Sequence, residues 1–124
     1  MLNPVVLAPT ETDPTGRQPH EPGAKCDEGK LYASLLTDFA LALQEVAKVC
    51  THGAKKYSRG GWQHVPDADE RYHDAKWRHI LKARHEECDL DSGLPHEAHE
   101  IWNALARLEL RLRKEKGLCS DAPE

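Results

Sequence analysis

Arg78-His79, Glu86-x-x-Asp89-x-Asp91-Ser92-Gly93 and His96-x-x-His99-x-x-x-Asn103 gather acids, imidazoles and an amide into one short stretch. Side chains three or four apart share a helix face. A hydrophobic core has no use for this pattern, but bringing a polyphosphate and a divalent metal together does. Glu86 and Asp89 on one face repel each other unless a cation joins them. Magnesium suits that role, as a hard ion that takes oxygen ligands and keeps several waters. His96 and His99 can bind a metal or hydrogen-bond phosphate oxygens, and two His with a carboxylate also suit zinc, iron or manganese. Asn103 lies one turn further and can recognise a base edge or a ribose hydroxyl. Each group has a plainer alternative: a solvated acidic helix end, a packed His pair, an amide that satisfies its own backbone.

Lys55, Lys56 and Arg78 are the natural phosphate partners, Lys as a point charge and Arg as a bidentate fork. His79 adjoins Arg78 and joins that candidate set. Trp62, in a glycine-rich loop, can stack on a base or anchor the loop. No Gly-x-x-x-x-Gly-Lys-Ser/Thr phosphate loop is present. His73-Asp74 invites a His-Asp phosphohydrolase reading, but that site needs further ligands on well-separated helices. Glu45 is a lone acid beside an apolar stripe, of interest only if its helix faces Glu86.

Helices must position these groups. Thr37 has the character of an N-cap. Phe39, Leu43, Val46 and Cys50 then form one stripe, and Gly53 is a stop signal, which predicts a first helix over about 38–52. The connection 52–69 carries Gly60-Gly61, and connections this long are usually functional or mobile. A second, unusually polar helix is predicted over about 69–87. After a turn at 89–94, Pro95 opens a third, which runs to Lys116 before Gly117. Its expected core stripe is Ile101, Leu105, Leu108 and Leu112, with His96, His99 and Asn103 on an adjacent polar stripe. No strand pattern occurs. The expected fold is all-α: a small helical bundle completed by oligomerisation. The expected organisation is a Pro-rich extended or disordered arm over 1–26, a helical domain over 27–117 and a flexible tail over 118–124.

A chain of 124 residues makes at most one domain. Its mean hydropathy of -0.73 leaves little for a core, which favours a dimer or tetramer. A net charge of -4 argues against stable nucleic-acid binding. The spaced residues Cys26, Cys50, Cys88 and Cys119 suit free thiols in a reducing, cytoplasmic setting. No apolar run approaches a membrane span.

The stretch over 78–103 and two earlier segments resemble a known family. Asp27-x-Gly29-Lys30 leads to Glu45-Val46-Ala47-x-Val49. Gly53-Ala54-Lys55-Lys56-Tyr57 leads to Trp62. Arg78-His79 leads to Asp91-Ser92-Gly93-Leu94-x-His96-x-x-His99 and Asn103. Together they resemble the phage-type dATP/dGTP diphosphohydrolase domain over roughly 26–112, a family related to the all-α MazG-like nucleotide pyrophosphohydrolases. The resemblance implies a magnesium-dependent enzyme, with manganese as a substitute, working in the host cytoplasm if phage-encoded. It would cleave a purine (deoxy)nucleoside triphosphate, dGTP or dATP, to the monophosphate and pyrophosphate. Glu45, Glu86 and Asp89 would hold the metal, and His96 and His99 would join them in catalysis. Lys55, Lys56, Arg78 and His79 would bind phosphate, and Trp62 and Asn103 the nucleoside. The alternative is a non-catalytic nucleotide- or metal-binding module. The chain departs from the MazG-like pattern at Glu45-x-x-Lys48, which has only the first acid. His96-x-x-His99 stands where acids are otherwise found, and Gly61 and Asp91 replace the diphosphohydrolase family's usual Asn and Glu.

Overall fold

The computed structural model describes residues 11–118. The first ten residues of the expected arm, and the tail from Cys119 onward, lie outside that range. The chain divides into two compact units after Asp38.

The first unit is organised by a buried acid. Asp13 is 8% exposed, and its carboxylate accepts from Thr15 N (2.6 Å), Thr15 Oγ1 (2.7 Å) and Lys25 N (3.0 Å). Glu28 N donates to Thr12 O (3.0 Å), closing residues 12–28 into a series of turns. Composition alone gave no expectation of order here, because one carboxylate, not a hydrophobic period, arranges the segment.

Helices build the second unit. Its first α-helix is α1 (Ala40–Lys56), preceded in sequence by a 3-10 helix, Ala33–Phe39, that lies mostly in the first unit. Thr37 is not the N-cap: its hydroxyl donates back to Ser34 O (2.7 Å), because the chain is already wound at that point. Gly53 does not end α1. It sits inside the last turn, and the helix continues through Ala54, Lys55 and Lys56. These are good helix formers, and the two lysines complement the negative end of the helix dipole. α2 (Ala68–Lys82) is shorter than its sequence pattern and gives way to successive turns at Ala83–Glu86. α3 (His96–Glu115) starts one residue after Pro95, and Gly117 follows its end with φ +70°. Among the described residues no strand forms. Cys88 and Pro95 make one isolated antiparallel bridge across the α2–α3 turn.

α2 and α3 are an antiparallel hairpin, and α1 packs against α3 less extensively. Arg107 clamps the hairpin, with Nε 3.0 Å and Nη2 3.4 Å from the two oxygens of Asp69, and Nη1 2.7 Å from His73 Nδ1. That contact uses His73 structurally. Trp62 and Tyr72 meet Trp102 edge-on, with ring centroids 6.0 and 5.3 Å apart.

The face of α3 turned inward is the reverse of expectation. His96 is 0% exposed and Asn103 4%, whereas Leu105 is 47% and Ile101 and Leu108 are each 42% exposed. Among the described residues only Val46, Val49, Ala98 and Ala106 are buried hydrophobics. The hairpin partner presents imidazole and aromatic groups, so it buries the polar stripe of α3.

Candidate active site

A cleft of about 1260 Å³ opens between the C-terminal half of α1, the Ser58–Pro66 loop, α2, the Asp89–Gly93 turn and α3. That exceeds the roughly 300–1,000 Å³ of typical small-molecule pockets, so an extended ligand fits. α2 lines it with Arg71, Ala75, Arg78 and Lys82, residues at helical spacing on one face. α1 supplies Lys55 and Lys56, and the loop supplies Arg59. Six cationic side chains thus face the cleft, against the carboxylates of Asp89 and Asp91. The chain as a whole carries -4. Such segregation concentrates positive potential where a polyanion would sit.

At the floor lies a group of imidazoles and carboxylates. His79 and His99 stack with centroids 4.3 Å apart and planes at 6°. His79 Nδ1 faces His96 Nδ1 at 3.0 Å. Glu86 Oε2 lies 3.2 Å from His96 Nε2, and Asp89 Oδ2 lies 3.7 Å from His99 Nε2. The two acids are not on a helix, as their spacing suggested. They sit in the turns after α2, and each faces a different imidazole of α3.

The turn is shaped to aim Asp89. Ser92 N (2.8 Å) and Ser92 Oγ (2.9 Å) donate to Asp89 Oδ2, and Gly93 N donates to Asp89 O (2.7 Å). Gly93 takes φ +73°, which a side chain disfavours. Ser92 Oγ also lies 2.7 Å from His99 Nε2, so one hydroxyl links acid and imidazole.

Electrostatics favour neutral rings. Burial, reinforced by the neighbouring His99, holds His79 down to about 4, against an ordinary 6.5. Burial also lowers His99, although Asp89 opposes it. For Asp89, burial alone would raise the carboxyl. The Ser92 N–H and hydroxyl, with His99 and His79, outweigh that and hold it below its usual value. Asp91 is lowered by hydrogen bonds from Lys56 Nζ (2.7 Å) and His52 Nε2 (3.0 Å).

The structure brings together Glu86, Asp89, His96, His99 and His79, with Lys55, Lys56, Arg78, Trp62 and Asn103 around the cleft. It does not bring Glu45 to them: that carboxylate pairs with Lys48 Nζ at 2.7 Å, one turn along α1. Trp62 is braced edge-on by Trp102 and faced by Arg113 at 5.5 Å, so it is packed even where it lines the cleft. Asn103 Nδ2 donates to His99 O (2.8 Å) on its own helix. His52, Asp91 and Ser92 are additions to the chemistry read from sequence. Asp91 and Ser92 stood inside the quoted motif, while His52, at the end of the predicted first helix, is marked only by its contact with Asp91 across the fold.

Among the described residues, one group of His, Cys, Asp or Glu is compact enough for a metal. It comprises His79, Asp89 and His96, with one ligand atom from each within 4.8 Å of the others. That donor set is rich in nitrogen, unlike the all-oxygen shell that magnesium prefers. The expected trio Glu45, Glu86 and Asp89 is not gathered.

The helical hairpin, the cleft lined by cations and the imidazole–carboxylate floor define a small all-α protein. The family model for dATP/dGTP diphosphohydrolase, N-terminal, matches residues 20–118, and the chain belongs to that family. Over 78 residues it is 38% identical to a dATP/dGTP diphosphohydrolase of Salmonella phage PMBT28. The match covers 62% of this chain and 26% of that protein, so the chain spans about a quarter of the relative's length. No solved structure matches. No helix among the described residues is long and apolar enough to cross a membrane.

Proposed function

We propose that this domain hydrolyses a purine deoxynucleoside triphosphate, dATP or dGTP, to the monophosphate and pyrophosphate, with a divalent cation, in the cytoplasm of a phage's host. The observation that carries this reading is the cleft, where six cations surround one aimed carboxylate, Asp89, and two rings that burial favours as neutral, His79 and His99. Lys55, Lys56 and Arg78 hold the phosphates and offset charge developing on the leaving pyrophosphate. His79 is withdrawn from that set, because its Nδ1 faces His96 rather than the cationic wall.

His79 and His99 both line the cleft and burial lowers both; with His79 turned toward His96, His99 accepts the proton of the attacking water. Asp89 and Ser92 fix its ring. His96 is sealed from solvent and is a positioning residue, oriented by Glu86. Asn103 and the Trp62 side of the cleft receive the nucleoside. The family name and the phage relative's name agree with this substrate class. The exposed apolar stripe on α3 supports a homo-oligomer as the working form.

A panel of deoxy- and ribonucleoside triphosphates with Mg2+ or Mn2+, with products resolved as mono- or diphosphate, tests the proposal. Deoxypurine monophosphate plus pyrophosphate is expected. Saturable nucleotide binding without turnover would instead make the domain a binding module, consistent with Glu45 lying on Lys48.

A further inference from the structure

The geometry points to a nitrogen-rich site for a first-row transition-metal dication, with His79 Nδ1, His96 Nδ1 and Asp89 as its protein ligands. Two imidazoles on a tetrahedral zinc-type ion, with Zn–N bonds of 2.0–2.1 Å, place their nitrogens about 3.3 Å apart. His79 Nδ1 and His96 Nδ1 stand 3.0 Å apart, a few tenths of an ångström from that spacing. One nitrogen of each ring and an Asp89 oxygen lie within 4.8 Å of one another, so modest side-chain movement closes three ligands on one ion.

The surroundings prepare each ligand. Glu86 Oε2 is 3.2 Å from His96 Nε2. A carboxylate accepts, so Nε2 carries the ring proton and Nδ1 presents its lone pair toward His79. Metal-bound histidines are held in this way by an outer carboxylate. His96 is fully enclosed, which fixes the ring without solvent. Ser92 occupies Asp89 Oδ2, and Oδ1 takes no hydrogen bond among the described residues and is left for a cation. His79 and Asp89 both line the cleft, so a further coordination position opens toward the ligand space. Imidazole nitrogen suits zinc and the later first-row dications such as cobalt and nickel, whereas magnesium and manganese prefer oxygen.

This inference deepens the catalytic reading of the same centre but stands on binding alone, so the test uses metal without nucleotide. Co2+ or Zn2+ is titrated into chelator-stripped protein, followed by calorimetry and, for Co2+, by visible d–d absorption. One ion per chain is expected, with a cobalt spectrum of low coordination number that zinc displaces and a large excess of Mg2+ does not. His79→Gln, at a half-buried position, should weaken binding at least tenfold with an unchanged far-ultraviolet circular dichroism spectrum. Glu86→Gln should weaken it by about 10–100-fold. Cys50→Ser should bind as the parent does, which excludes the cleft thiol as a ligand. Absence of saturable Co2+ binding, equal competition by Mg2+, or parental affinity in His79→Gln would overturn the site. Metal binding without nucleotide hydrolysis would leave the site standing and sink the catalytic reading. Hydrolysis with Mg2+ in protein that binds no Co2+ would do the reverse.

Discussion

Glu86 and Asp89 stand three residues apart, yet they serve different imidazoles, one on His96 and the other on His99. Removing either charge should therefore act through a different ring. Asp89→Asn keeps the Ser92 hydrogen bonds in part but loses the charge beside His99. We expect turnover to fall at least about 100-fold, within the range for losing a positioned acid–base partner, while the thermal midpoint moves by only a few degrees. Steady-state kinetics beside a melting curve measure both. His79 adds a pH signature in the metal-stripped protein. Its unfolded form takes up a proton near 6.5 and its folded form only near 4. Between those values the unfolded state binds more protons, so stability is full above pH 6.5 and declines as pH falls toward 4. Urea midpoints measured across that range should show the decline, and His79→Gln should flatten it. If the variant keeps the parental slope, His79 is not the group responsible. The imidazoles and acids were legible in sequence because alternating polar types at helical spacing are rare. The pairing was not, since His79 looked like a phosphate ligand until its ring was seen facing His96.

The helices show where local rules mislead. Gly53 reads as a stop, but it is helical, and a Cβ there would meet nothing within 4 Å. Gly53→Ala should therefore stabilise the domain by about 0.4–1 kcal/mol, by restricting the unfolded chain. Gly93 also has open space for a Cβ, but its φ is +73°. Gly93→Ala should cost about 1–2 kcal/mol, from backbone strain alone. Opposite signs in urea denaturation are the expected result, and a destabilised Gly53→Ala would mean that α1 does not continue through residue 56. That continuation matters, because His52 and Lys56 lie one turn apart and both reach Asp91. The three α-helices and the α2–α3 turn were readable from periodicity and from Pro95. The ends were not, because a glycine's effect depends on whether the residues after it find partners.

For the molecule as a whole, periodicity reveals a helix but not which of its faces turns inward. α3 has an apolar seam and a polar seam, and the polar one is buried because α2 brings His79 and Tyr72 to it. The apolar seam at Ile101, Leu105, Leu108 and Leu112 stays 38–47% exposed. We propose that a second copy of the chain covers it. Light scattering on Leu105→Lys and Leu108→Lys should then give a smaller species than the parent, and a monomeric parent would refute the assembly. The scarcity of buried hydrocarbon within one chain has a thermodynamic consequence. If association supplies the missing burial, folding and assembly are one equilibrium governed by mass action. Each tenfold dilution of a dimer would then remove about 1.4 kcal/mol of apparent stability per mole of dimer. The melting temperature would report how much protein is present as well as how it is folded.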